Sequence, residues 1–65
     1  MKLTVNGQSH EVSAATLGDL LAELDYGDEW LATAVNASLV HAGDREAHAL
    51  SDGDEVEILS PMQGG

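Results

Sequence analysis

Leu3 and Val5 alternate with Lys2 and Thr4, a period of two that predicts a strand with one face turned to a core. Asn6-Gly7 follows at once. It is the strongest short hairpin signal, because both central residues of a type I′ turn need positive φ. Ser9-His10-Glu11-Val12 then reads as the returning strand. After it the period changes. Leu17, Leu20, Leu21 and Leu24 recur at i, i+3, i+4 and i+7, one apolar stripe of a helix. Thr16 stands where a hydroxyl caps the first turn, and Asp19 lies near the positive end of the helix dipole. Gly18 costs some helix propensity. The helix is expected to stop near Leu24, where Asp25-Tyr26-Gly27-Asp28-Glu29 brings turn residues and a glycine suited to a C-cap.

Beyond the helix, Leu31 to Val35 predicts a third strand, with its buried face undecided because Ala occupies both parities. Asn36-Ala37 marks a turn, and Ser38-Leu39-Val40-His41 a short fourth strand. Ala42 to Leu50 reads as a loop with room for one helical turn. Ser51-Asp52-Gly53-Asp54 is a turn. Glu55 to Leu59 is the last strand, with Val56 and Ile58 on one face and Glu55, Glu57 and Leu59 on the other. A single striped helix needs a sheet face to cover. The helix follows a hairpin, so it is not the crossover of a simple βαβ unit. The compact solution is an α+β fold, a mixed four- to five-stranded sheet wrapped across one helix with the final strand central. That arrangement is the β-grasp, or ubiquitin-like, fold. The predicted domain covers residues 1–59, and a flexible tail covers 60–65.

The chain has 65 residues, enough for one small domain. Its net charge of −10, twelve acids against Lys2 and Arg45, excludes nucleic acid as a partner and disfavours anionic membranes. It favours partners with basic surfaces. With no Cys there is no disulfide framework and no thiol for catalysis. No window reaches the apolar length of a membrane span, and the opening residues lack the apolar core of a signal peptide. The expected compartment is the cytoplasm.

Side-chain chemistry is thin. His10, His41 and His48 have no spacing that matches a metal site, even with Asp44 between the last two. Asp25, Asp28 and Glu29, and the pair Asp52 and Asp54, read as turn chemistry and solubility. Acid–base work would require a cleft that shifts their pKa values. None of Ser9, Ser13, Ser38, Ser51 and Ser60 sits in a nucleophile elbow, and no glycine run forms a phosphate loop. No enzyme site and no bound cofactor are expected.

The tail is different. Pro61 ends the last strand by removing a donor and fixing φ, and Met62, Gln63, Gly64 and Gly65 follow with no apolar pattern. Two glycines at the very end add nothing to a core. They do allow the chain to thread a narrow channel and leave the last carbonyl unhindered. A carboxylate there is a poor electrophile until ATP converts it to an acyl-adenylate, which a sulfur nucleophile can displace.

Together these features resemble the ThiS/MoaD sulfur-carrier family, relatives of ubiquitin. The resemblance runs through the Val5-Asn6-Gly7 turn, the Thr16-Leu17 helix start with Asp19-Leu20-Leu21-Ala22-Glu23-Leu24, and Ala34-Val35-Asn36 with Leu39-Val40 after it. It continues through Leu50-Ser51-Asp52-Gly53-Asp54-Glu55-Val56-Glu57-Ile58-Leu59 and ends on Gln63-Gly64-Gly65. The Asp52-Gly53-Asp54 turn, the strand after it and the terminal diglycine are its specific part. The short length, and Gln63 where molybdopterin carriers commonly have an aromatic residue, are more similar to the thiamine carriers. The resemblance implies a carrier and cosubstrate, monomeric when free. Its Gly65 carboxylate would be adenylated by an E1-like, ThiF-type enzyme using ATP. A cysteine desulfurase route would supply sulfur to make a thiocarboxylate, and a ThiG-type thiazole synthase would accept that sulfur. Gly64 carries over from the motif, and Met62 and Gln63 as tail positions. Leu59, outward-facing beside the tail, is a candidate for partner docking. The rival readings are a carrier for molybdopterin or another metabolite, and a non-covalent ubiquitin-like binding module with an incidental diglycine.

Overall fold

The computed structural model describes residues 1–26 and 30–60. Five strands, β1 (Lys2–Val5), β2 (Gln8–Glu11), β3 (Ala32–Val35), β4 (Ser38–Val40) and β5 (Glu55–Leu59), surround the helix α1 (Leu17–Glu23) and a 3₁₀ segment, Ala42–Ala47. They form one sheet in the order β2-β1-β5-β3-β4. β1 and β5 run parallel, and the other neighbours are antiparallel. This is the β-grasp arrangement, with the last strand in the middle.

Both hairpins turn on asparagine. Asn6 and Gly7 have φ of 50° and 82°, and Asn36 and Ala37 have 51° and 69°. Asn tolerates the left-handed region and Gly occupies it freely, whereas Ala37 does so at a cost. Val5 and Val35, which precede the two turns, both register against Val56 from opposite sides. These three buried valines tie each hairpin to the central strand.

Thr16 caps α1 as expected, accepting a 3.1 Å hydrogen bond from the Asp19 N–H. The other end closes without glycine. Asp25 takes the left-handed position (φ 66°), its N–H donates to Ala22, and the Tyr26 N–H reaches back to Leu21. That double bond pattern is a Schellman motif with aspartate at C′. Gly27, expected as the cap, lies outside the described residues. Gly18 has a packing reason: a Cβ there would collide with the Glu46 carboxylate, which approaches the first turn of α1 from the 3₁₀ segment.

The core lies between α1 and one sheet face. Leu17, Leu20 and Leu21 meet Leu3, Val5, Val35, Val40, Val56 and Ile58, with Val12, Ala14 and Leu50 closing the ends. Leu24, the fourth residue of the stripe, is half-buried against this cluster. β3 buries Thr33 and Val35, not its alanines. Thr33 is buried because its hydroxyl is fully used. It donates to the Val40 carbonyl at 2.7 Å and accepts from Arg45 Nε at 3.0 Å, while Arg45 Nη2 donates to the Leu31 carbonyl. The loop expected after β4 is thus a 3₁₀ segment pinned to β3 by its arginine. It has no buried residue of its own, hence no apolar period to betray it.

Candidate functional site

β5 ends at Leu59, and Ser60 is the last described residue. Pro61, Met62, Gln63, Gly64 and Gly65 lie outside the described residues. The structure therefore defines the strand end from which these residues continue. The end of β5 is secured from both flanks. On the β1 side the pairing Val5↔Val56 is followed by the Asn6 N–H donating to the Val56 carbonyl. The Asn6 carboxamide then takes over: Nδ2 donates to the Ile58 carbonyl at 3.0 Å, and Oδ1 accepts from the Ile58 N–H at 2.8 Å. On the β3 side the ladder runs to Ala32↔Leu59.

Asn36 plays a similar part at the start of β5. Its Oδ1 accepts from the Glu55 N–H and its Nδ2 donates to Asp54 Oδ1. Asp54 Oδ2 accepts from the Ser51 N–H at 2.8 Å, and Gly53 (φ 90°) completes the turn. The Ser51 N–H first, and the Asn36 carboxamide second, hold the Asp54 carboxyl below its ordinary pKa range. The Asp52-Gly53 turn is also sewn to β1. Lys2 N–H donates to Asp52 Oδ1 at 2.6 Å, and Gly53 N–H to the Lys2 carbonyl at 2.7 Å.

The sheet face away from α1 is divided. Its β1–β2 half carries Lys2, Thr4, Ser9 and Glu11. Its β3–β5 half carries Ala32 and Ala34, flanked by Leu39 of β4, 65% exposed, and Leu59, 67% exposed. Cross-strand register sets Ala34 beside both Leu39 and Glu57, and Ala32 beside Leu59. The small alanines between the two leucines leave a cleft of about 90 Å³, edged by the Glu57 side chain. Leu39 also borders a second hollow, shared with Trp30, His41 and Arg45. Trp30 is 81% exposed.

Leu59 thus stands outward at the root of the tail, as its parity implies. Leu39, Ala32 and Ala34 were not anticipated as its neighbours. The signal was available once Val35 is turned inward. Period two then puts both alanines on the outer face, and the two-residue turn sets Leu39 opposite Ala34. The acids and histidines do not converge. His10 is half-buried opposite Leu3, His41 is exposed beyond β4, and His48 is half-buried after the 3₁₀ segment. Asp28 and Glu29 lie outside the described residues. Among the described residues no three His, Asp or Glu side chains are grouped to hold a metal, and no helix is long and apolar enough to cross a membrane.

A first strand paired parallel to the last, with one helix across the sheet, defines a ubiquitin-like β-grasp domain. Within that class the chain belongs to the ThiS family, whose model matches residues 3–65. It is similar to the crystal structure of a thiamine biosynthesis protein (ThiS) from Geobacter metallireducens. The two are 32% identical over the whole of both chains, with a TM-score of 0.82. It is also similar to a solution NMR structure of a thiamine biosynthesis protein from the same organism. That comparison gives 33% identity and a TM-score of 0.80, covering 100% of this chain and 88% of the other. No curated protein matches the chain.

Proposed function

We propose that the chain is a sulfur carrier of thiamine biosynthesis that works through its C-terminal carboxylate. The observation that carries this reading is the reach of the family match, residues 3–65, which takes in Gly64 and Gly65 as well as the folded domain. The chemistry follows from the terminus. The Gly65 carboxylate attacks the α-phosphate of ATP on an E1-like, ThiF-type enzyme, and pyrophosphate leaves. Sulfur supplied through a cysteine desulfurase arrives as a persulfide, whose outer sulfur displaces AMP from the acyl-adenylate to give an acyl disulfide; an external thiol then cleaves the S–S bond, forming a disulfide and leaving the thiocarboxylate. A ThiG-type thiazole synthase takes that sulfur into the thiazole ring. The folded domain holds no cofactor of its own. It acts as a cosubstrate that presents the tail, and it catalyses no step. The chain has no Cys, so the cargo sulfur rides on the terminus and not on a side chain. Gly64 lets the tail thread the enzyme, and Gln63, Met62 and Leu59 meet the partner before it.

The test is the intact mass of the protein after incubation with ATP, a sulfide source and the ThiF-type enzyme. The expected result is a gain equal to sulfur replacing oxygen, localised to Gly64-Gly65. An unchanged mass with an enzyme shown to be active would leave a non-covalent binding module. Release of the sulfur to molybdopterin synthase instead of thiazole synthase would move the carrier to the other pathway.

A further inference from the structure

We infer that Asn6 is a site of self-modification: its carboxamide condenses with the Gly7 backbone nitrogen and ends as an acid, and its two hydrogen bonds to Ile58 hold that reaction back in the folded protein. The site stands apart from the proposed sulfur chemistry and does not depend on it. Asparagine opens both hairpin turns, Asn6 before Gly7 and Asn36 before Ala37. Each carboxamide is engaged at β5 or its entry. Asn6 meets both backbone groups of Ile58, and Asn36 meets the Glu55 N–H and Asp54 Oδ1. The residue that follows separates the two. A backbone nitrogen attacks the preceding side-chain carbonyl most readily when its own residue carries no Cβ. Gly7 carries none, and nothing stands within 4 Å of where one would be. Ala37 brings a methyl group that crowds the same attack at Asn36. Asn6 and Gly7 are both exposed, so water reaches the product.

The Gly7 nitrogen bonds to Asn6 Cγ and gives up its proton, the Cγ–Nδ2 bond breaks, and Nδ2 leaves as ammonia. A five-membered imide remains. Water opens it at either carbonyl. One product is aspartate; the other is isoaspartate, in which the chain runs through the former side chain. One water enters, one ammonia leaves, and nothing is oxidised or reduced. For the attack the carboxamide must turn from Ile58 toward Gly7, so both hydrogen bonds have to open first. The folded protein therefore reacts only from its open fraction. The products undo the clamp. Aspartate still accepts from the Ile58 N–H, but it sets a carboxylate oxygen against the Ile58 carbonyl where Nδ2 donated. Isoaspartate adds a methylene to the backbone of a two-residue turn, which no longer fits between the paired Val5 and Gln8. In both, β5 loses its hold at Ile58 on the β1 side and keeps its ladder to β3.

The experiment incubates the whole chain in mildly alkaline buffer, folded and in concentrated urea side by side. A peptide map locates the mass gain of an amide turned to an acid and separates the two products. Asn6 should convert at least about tenfold faster in urea than in the folded protein, because unfolding removes the guard. In urea it should also outpace Asn36. Gly7→Ala, followed in urea so that its folding does not enter, should slow Asn6 to the pace of Asn36. The converted protein, separated from its parent by the added negative charge and refolded, should exchange the Ile58 amide faster than the parent does, with Val56 little changed. Equal rates in folded and unfolded chains would overturn the guard. An Asn6 that stays unconverted in urea, or that converts as fast in Gly7→Ala, would overturn the site. Unchanged protection of Ile58 in the converted protein would overturn the release of the strand.

Discussion

The carboxamide of Asn6 grips the backbone of Ile58, 52 residues along the chain, as donor at 3.0 Å and as acceptor at 2.8 Å. A turn residue thus acts as one more rung of the ladder between β1 and β5, two residues before the described chain ends at Ser60. Asn6→Gly keeps the left-handed turn and removes only the carboxamide. It should cost about 1–3 kcal/mol and speed amide exchange at Ile58 far more than at Val56. Asn6→Asp keeps an acceptor and should leave Ile58 partly protected. Uniform exchange along β5 in Asn6→Gly would show that the clamp does not hold the strand end.

Ala37 occupies the place in the second turn that Gly7 fills in the first, with φ of 69°. Nothing stands within 4 Å of the Cβ position at Gly7, so conformation alone separates the two residues there. Ala37→Gly should stabilise the protein by about 0.5–1 kcal/mol, the relief of left-handed strain less the greater freedom of glycine in the unfolded chain. In a domain of this size that raises Tm by about 4 °C, readable by calorimetry. A lower Tm would refute it.

Thr33 and Arg45 form a coupled pair. Thr33→Val keeps the shape but leaves Arg45 Nε and the Val40 carbonyl without the hydroxyl. It should destabilise by about 1–3 kcal/mol in urea unfolding. Arg45→Met should cost less, because the hydroxyl still serves Val40. The double variant should lose less than the sum, a coupling of about 0.5 kcal/mol or more. Strict additivity would mean that the arginine is held by other contacts.

Asp54 has a depressed folded-state pKa, set by the Ser51 N–H and then by Asn36. Folding therefore stabilises its ionised form. The contribution is full above the unfolded-state value, about pH 4, and is lost as pH falls through the lower folded value. Asp54→Asn removes the titration. The stability gap between wild type and variant, measured by urea unfolding, should be constant near neutrality and narrow below about pH 4. A gap that persists at pH 2.5 would show that the charge is not its source.

One residue added after Gly65 should abolish the mass gain with ATP, sulfide and the ThiF-type enzyme, and leave the melting curve unchanged. The proposed chemistry would need a free carboxylate on a residue without a side chain. A thiocarboxylate formed on the extended chain would refute the proposed mechanism.

Local signals were legible where one residue type answers one geometric demand. Asn6-Gly7 announced its turn, Thr16 its cap, and Ser51-Asp52-Gly53-Asp54 the entry to β5. Signals failed where a residue acts through a distant partner. The buried face of β3 stays undecided in the sequence, and it is settled only when Val40 and Arg45 are brought to the Thr33 hydroxyl. Asp25 does at the helix end what glycine more often does, so the stop was legible but its agent was not. The 3₁₀ segment buries nothing, and the apolar corner exists only in cross-strand register. Leu59 could be placed on the outer face by parity alone, whereas Leu39 could not be set near it without the strand order.

The central position of β5 has a mechanical meaning. The tail continues from a strand bonded on both sides, by β1 in parallel and β3 in antiparallel. Tension applied along β5 from its C-terminal end runs parallel to the strand and across its hydrogen bonds. Both ladders, and the Asn6 clamp with them, are then loaded in shear at once, whereas an edge strand would peel rung by rung. A partner that pulled on the chain beyond Ser60 would therefore pull against an anchor, and β5 would resist as one unit held by both neighbours.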